Sequence, residues 1–75
     1  MECNEEIDAL GLLCPLPVLK LRKRLQNHPS GAVVCLLADD PAAVIDVPHF
    51  CNEAGHELLQ SREIDQGRIY QVRKG

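Results

Sequence analysis

Aromatic side chains are nearly missing from this 75-residue chain, which has one Phe, one Tyr and no Trp. Proteins that hold single-stranded nucleic acid stack its bases on such rings, so nucleic acid is not expected as a direct partner. An excess of positive charge is missing too. Eight Lys and Arg against eleven Asp and Glu leave a net charge of −3, the wrong sign for broad phosphate contact. No apolar run approaches the roughly 18–20 residues of a membrane span, so direct membrane insertion is not expected. The opening Met1-Glu2-Cys3-Asn4-Glu5-Glu6 is acidic and lacks the apolar stretch of a secretion signal. The four cysteines are therefore read as free thiols in a reducing cytoplasm, not as a disulfide scaffold. A Cys-x-x-Cys pair is absent, which disfavours a thioredoxin-like dithiol. His49, Cys51 and His56 show no regular ligand spacing, so no metal site and no cofactor is assigned.

What the chain does have is Gly11-Leu12-Leu13-Cys14-Pro15-Leu16-Pro17-Val18. Two prolines so close together would damage a helix interior, yet in a first turn the N–H groups have no intrahelical partner to lose. The pattern predicts a helix start with Cys14 as N-cap, Pro15 at N1 and Pro17 at N3. Cysteine is a poor cap on stability grounds, which invites a chemical reason. A helix N-terminus favours an anion and lowers a thiol pKa, and the thiolate is the nucleophile of sulfur chemistry. The plainer alternative is a small apolar side chain packed at a turn.

Seventy-five residues make one domain, 1–75, with a small core. Glu5 to Leu10 reads as a short strand, and Gly11 supplies the freedom for a turn. Val18, Leu21 and Leu25 recur at helical spacing, with Leu16 and Leu19 widening the stripe, until His28-Pro29-Ser30-Gly31 ends the helix. Lys20, Arg22, Lys23 and Arg24 form its basic side. They are either a solvated face or, through Lys20, Lys23 and Arg24, a docking patch for an acidic partner. The run from Ala32 to Ala38 fits a central strand, with Cys35 as inert packing. Asp39-Asp40-Pro41 repeats the grammar of a helix start, an acid at the cap and proline at N1. Pro48 is expected to break the next helix near Asp46-Val47, leaving a second piece through His49 to Ala54 whose buried side holds Val47, Phe50 and Cys51. Gly55 suits the C′ position. His56 to Ile64 and Arg68 to Arg73 read as a hairpin turned by Asp65-Gln66-Gly67. The order is βαβαββ. It predicts an α+β fold, a two-layer α/β sandwich in which two helices cover one face of a four-stranded mixed sheet. The first two strands would be parallel and the last pair antiparallel.

The run from Asp8 to Pro17 resembles the TusA/SirA family of small sulfur-carrier proteins, marked by a Cys-Pro-x-Pro motif. The later runs Ala38-Asp39-Asp40-Pro41-Ala42, Asp46-Val47-Pro48, Phe50-Cys51 and Gly55-His56-Glu57-Leu58 match it in order and spacing. The resemblance extends from about Ile7 to Lys74. It implies the fold just described, similar to the C-terminal domain of translation initiation factor three. It also implies that Cys14 carries a persulfide taken from a donor protein, a cysteine desulfurase or a rhodanese-like protein, and passes it to an acceptor protein. Gly11, Pro15 and Pro17 would be its supporting motif. Many tRNA-thiolating members carry a basic residue before the cysteine and Glu between the prolines, where this chain has Leu13 and Leu16. With Leu12 these give an apolar rim suited to transient partners. The alternative is a non-catalytic interaction module that uses this rim and leaves Cys14 idle. Cys3 would be either a resolving thiol or a tail residue without a role.

Overall fold

The computed structural model describes residues 2–75. Its elements run β1 (Glu5–Asp8), α1 (Leu16–Leu25), β2 (Val33–Ala38), α2 (Ala43–Ala54), β3 (Glu57–Ile64) and β4 (Gly67–Arg73). This is the βαβαββ order anticipated from the sequence. The four strands form one sheet in the order β1-β2-β4-β3. β1 pairs with β2 in parallel, and β4 pairs antiparallel with both β2 and β3. A parallel pair needs a long crossover, which α1 supplies, whereas β3 and β4 are close enough in sequence for a hairpin. Gly67 opens β4 where a Cβ would come within 2.5 Å of the Ala38 carbonyl oxygen. A side chain there would push the hairpin off the end of β2.

The core lies between the helices and one sheet face. Ile7, Val34, Leu36, Ala38, Tyr70 and Val72 come from alternate strand positions, as the two-residue period of a strand requires. Against them pack Leu21 and Leu25 of α1 and Ala43, Val47 and Cys51 of α2. The stripe predicted for α1 is narrower than expected. Leu16 and Leu19 are about half exposed, while Pro17 is buried.

Three expectations give way. First, α1 begins one residue later than predicted: Pro15 occupies the N-cap and Pro17 the second helical position. The Leu16 N–H closes a turn onto the Leu13 carbonyl at 2.8 Å, so Cys14 lies inside that turn and ahead of the cap. Second, α2 runs unbroken through Pro48. Pro48 sits on the solvent side of the helix, and Val44, whose carbonyl it cannot bond, is exposed as well. Third, Cys3 and Cys35 are joined in a disulfide, so Cys35 is not inert packing, Cys3 is not an idle tail residue, and the reading of four free thiols fails. Neighbours in a strand point to opposite faces, so Cys35, between Val34 and Leu36, leaves the core side. The segment before β1 meets it there. Asn4 exchanges hydrogen bonds with Val33, and Gln71 Nε2 donates to the Glu2 carbonyl at 2.7 Å.

Candidate active site

Because β1 and β2 are parallel neighbours, the loops that leave their C-terminal ends emerge side by side. The first loop carries Cys14 and the second carries Asp39 and Asp40. Gly11 adopts φ +80, in the left-handed region that glycine alone enters freely. Its N–H points at the Asp39 carboxylate, 3.1 Å from Oδ1 and 3.0 Å from Oδ2. The Cys14 N–H donates to Asp40 Oδ2, and Asp40 Oδ1 accepts the Ala42 N–H at 3.1 Å. The acid pair anticipated as a helix cap therefore does something further. Asp40 does hold the turn leading into α2, whose N-cap is Ala42, but both carboxylates also strap the cysteine loop in place. The Cys14–Pro15 peptide bond is cis.

Cys14 is exposed, and its thiol donates a hydrogen bond to Asp46 Oδ2 at 3.0 Å. Asp46 lies in the first turn of α2, 32 positions away in the chain. The electrostatics oppose the sequence expectation. Asp46, as hydrogen-bond acceptor, holds the Cys14 pKa above the ordinary thiol value, with desolvation and the charges of Asp46 and Asp40 adding to the shift. Two carboxylates close to the sulfur outweigh the partial charge of a helix end that begins one residue further on.

The rim is apolar, with altered membership. Leu13 is 70% exposed and Leu16 49%, whereas Leu12 is half buried and packs against the core. Val44 and Ile45 at the start of α2 join the exposed apolar set, Ile45 at 74%. Between the helices a groove of about 290 Å³ runs away from Cys14. Pro15, Val18 and Phe50 make its apolar wall, and Asp46, His49 and Glu53 its polar one. Of the proposed basic patch, Lys20 Nζ donates to the Asp8 carbonyl and Arg24 pairs with Glu5, while Lys23 stays exposed. His49, Cys51 and His56 are set to separate tasks: His49 pairs with Glu53, Cys51 is core, and His56 stacks against Phe50.

The residue at the thiol that sequence reasoning did not assign to the site is Asp46. It lies in the matching run Asp46-Val47-Pro48, but nothing local points to Cys14, since that partner is 32 positions away and a carboxylate in a first helical turn is ordinary. The doublet Asp39-Asp40 was visible, but its bonds to Gly11 and Cys14 depend on strand order.

Comparison with known proteins identifies the family and the fold. The family model described as Sulfurtransferase TusA matches residues 5–74. Proteins named Sulfur carrier protein TusA from several strains of Pseudomonas putida are 43% identical over 68 residues, covering 91% of this chain and 85% of theirs. The crystal structure of a SirA-like protein from Desulfitobacterium hafniense superposes with a TM-score of 0.76 at 30% identity, over 92% of this chain and 93% of that one. With a family match spanning nearly every described residue and a matching fold, this chain belongs to the TusA family.

Proposed function

We propose that this chain is a sulfur carrier that works through Cys14. The observation that carries the reading is selectivity among its thiols. Cys3 and Cys35 are bonded to each other and Cys51 is buried, which leaves Cys14 as the one exposed free thiol among the described residues. The names of the Pseudomonas putida relatives support the same role. As thiolate, Cys14 attacks the terminal sulfur of a donor persulfide. A new S–S bond forms on Cys14, the donor's S–S bond breaks, and the donor cysteine leaves as thiolate. The acceptor repeats the exchange on the Cys14 persulfide and releases Cys14. Gly11, Pro15 and Pro17 aim the sulfur, and Leu13 and Leu16 form the contact rim. A cysteine desulfurase or a rhodanese-like protein is the donor in this reading. The acceptor belongs to tRNA thiolation, cofactor maturation or sulfur metabolism, and the exchange takes place in the cytoplasm.

Intact mass after incubation with a cysteine desulfurase and cysteine, without reductant, tests the proposal. Wild type is expected to gain one sulfur atom and Cys14→Ser none. No gain with several donors would transfer the lead to the interaction module, in which Cys14→Ser retains partner binding. Gain on both proteins would move the chemistry to another cysteine.

A further inference from the structure

The thiol of Cys14 is held by a carboxylate that makes no ion pair among the described residues. Among the described residues the ion pairs are Arg24 and His28 with Glu5, His49 with Glu53, and Arg73 with Glu57. None reaches Asp46 or Asp40. Two cations of α1 are already engaged elsewhere, Lys20 at the Asp8 carbonyl and Arg24 at Glu5. The groove beside the thiol pairs an apolar wall of Pro15, Val18 and Phe50 with an acid at the Cys14 end. That shape matches a Lys or Arg side chain, whose hydrocarbon stem packs on apolar surface while its charged head finds a carboxylate. From α2 the polar groups along the groove are Asp46, His49 and Glu53, and from the loop after β2 Asp40 reaches the Cys14 N–H. His49 and Glu53 satisfy each other, so Asp46 is the open member.

We infer that the sulfur-exchange partner of Cys14 presents a Lys or Arg beside its own sulfur-bearing cysteine, and that this cation, seated in the groove on Asp46, frees the Cys14 thiol to react. Asp46 thereby serves as a gate. At rest its carboxylate accepts the thiol hydrogen and discourages loss of the proton. When a cation engages Asp46, the carboxylate is drawn to that charge, the proton leaves to solvent, and the thiolate forms next to the incoming sulfur. Electrons balance as in any exchange, with one S–S bond made, one broken and one thiolate released. A carrier gated this way stays unreactive toward small neutral electrophiles and reacts with a docked, basic partner. The inference rests on Cys14 being the exchanging thiol, as proposed above, and adds the chemistry of the partner.

The test uses the intact chain and three short peptides whose single cysteine is a mixed disulfide with a coloured aromatic thiol. The cysteine is flanked by Arg, by Ser or by Glu. Attack by Cys14 joins its sulfur to the peptide and releases the coloured thiolate, while Cys14→Ser provides the blank. Each rate is divided by that of free cysteine with the same peptide, which removes intrinsic reactivity. At low salt the Arg peptide should exceed the Glu peptide by about tenfold or more, the scale on which close charge pairs act. High salt should shrink that ratio. In Asp46→Asn the ratio should fall toward one, while the Ser peptide speeds up because the thiol is no longer held. Equal rates for the three peptides on wild type, or a faster Glu peptide, would overturn the inference, as would an unchanged ratio in Asp46→Asn. Sulfur loading by the desulfurase is read separately by mass. A carrier that loads but shows no charge preference refutes the gate alone, and one that shows the preference but never loads refutes the carrier.

Discussion

At the scale of single residues, the molecule turns on a contest between a helix end and two carboxylates for one sulfur. The carboxylates win because Coulomb interactions fall with distance and Asp46 Oδ2 lies 3.0 Å from Sγ. The sign of the consequence is definite. A carboxylate favours the neutral thiol, so at neutral pH a smaller fraction of Cys14 is thiolate than in an ordinary cysteine. Alkylation by a neutral reagent, followed against pH, should show a midpoint above the free-thiol value of about 8.5. Asp46→Asn should bring that midpoint down and raise the rate at pH 7. Asp40→Asn should shift it less, since Asp40 acts on the sulfur through charge alone. An Asp46→Asn midpoint equal to that of wild type would refute the contact. Cys51 is shifted in the same direction by a different cause. Burial pushes its thiol up to about 11, so labelling at neutral pH should leave it unmodified until the protein unfolds, as peptide mass mapping will show.

At the scale of elements, one side-chain cluster ties the end of α1 to the sheet, and one proline marks the solvent side of α2. Glu5 of β1 accepts hydrogen bonds from Arg24 and lies 2.7 Å from His28 Nε2, which ties the last turn of α1 and the residues after it to the edge strand. His28 first, and then Arg24, hold the Glu5 pKa below its usual 4.5. A carboxyl whose folded pKa is depressed contributes stability that is complete above its unfolded value and disappears as pH falls through the folded one. Urea midpoints measured between neutral pH and the acid range should therefore drop more steeply for wild type than for Glu5→Gln. Parallel curves would show that the cluster contributes nothing. In α2, Pro48 removes one backbone hydrogen bond on the solvent side. Pro48→Ala restores that donor, and a gain of about 1 kcal/mol is expected, less than a full helix-interior proline penalty because the site already tolerates the ring. Loss of stability in this variant would mean that the ring has a packing role.

At the scale of the whole molecule, a small core is supplemented by a covalent tie. The Cys3–Cys35 bond closes 32 positions of chain and fastens the segment before β1 to the central strand, on the face away from the helices. Constraint of the unfolded chain over such a loop is worth about 3–4 kcal/mol in the chain-entropy account. Urea unfolding with and without dithiothreitol should separate by that amount, and Cys3→Ser should match the reduced wild type. Identical midpoints in the two conditions would show that the bond carries no stability. The tie leaves the Cys14 end untouched, so the reduced protein should keep its alkylation profile at Cys14.

Much of this protein was legible in the chain because the relevant signals are local. Apolar periodicity, the glycine before the cysteine, prolines at helix starts and the turn at Asp65-Gln66 are short-range devices, and they yield βαβαββ and a cysteine at the mouth of α1. The TusA motif runs are equally contiguous. Contacts between remote segments were not legible. Asp46 meets Cys14, Asp39 meets Gly11 and Cys3 meets Cys35 across separations of 32, 28 and 32 residues. Each depends on β1 and β2 lying parallel and adjacent, which brings two loops to one edge and an N-terminal segment to one face. The unbroken course of α2 through Pro48 belongs to the same class, because burial of Val47 and Cys51 against the sheet outweighs a local preference to break. Strand order, and the charges it gathers around the sulfur, set the protonation state of Cys14.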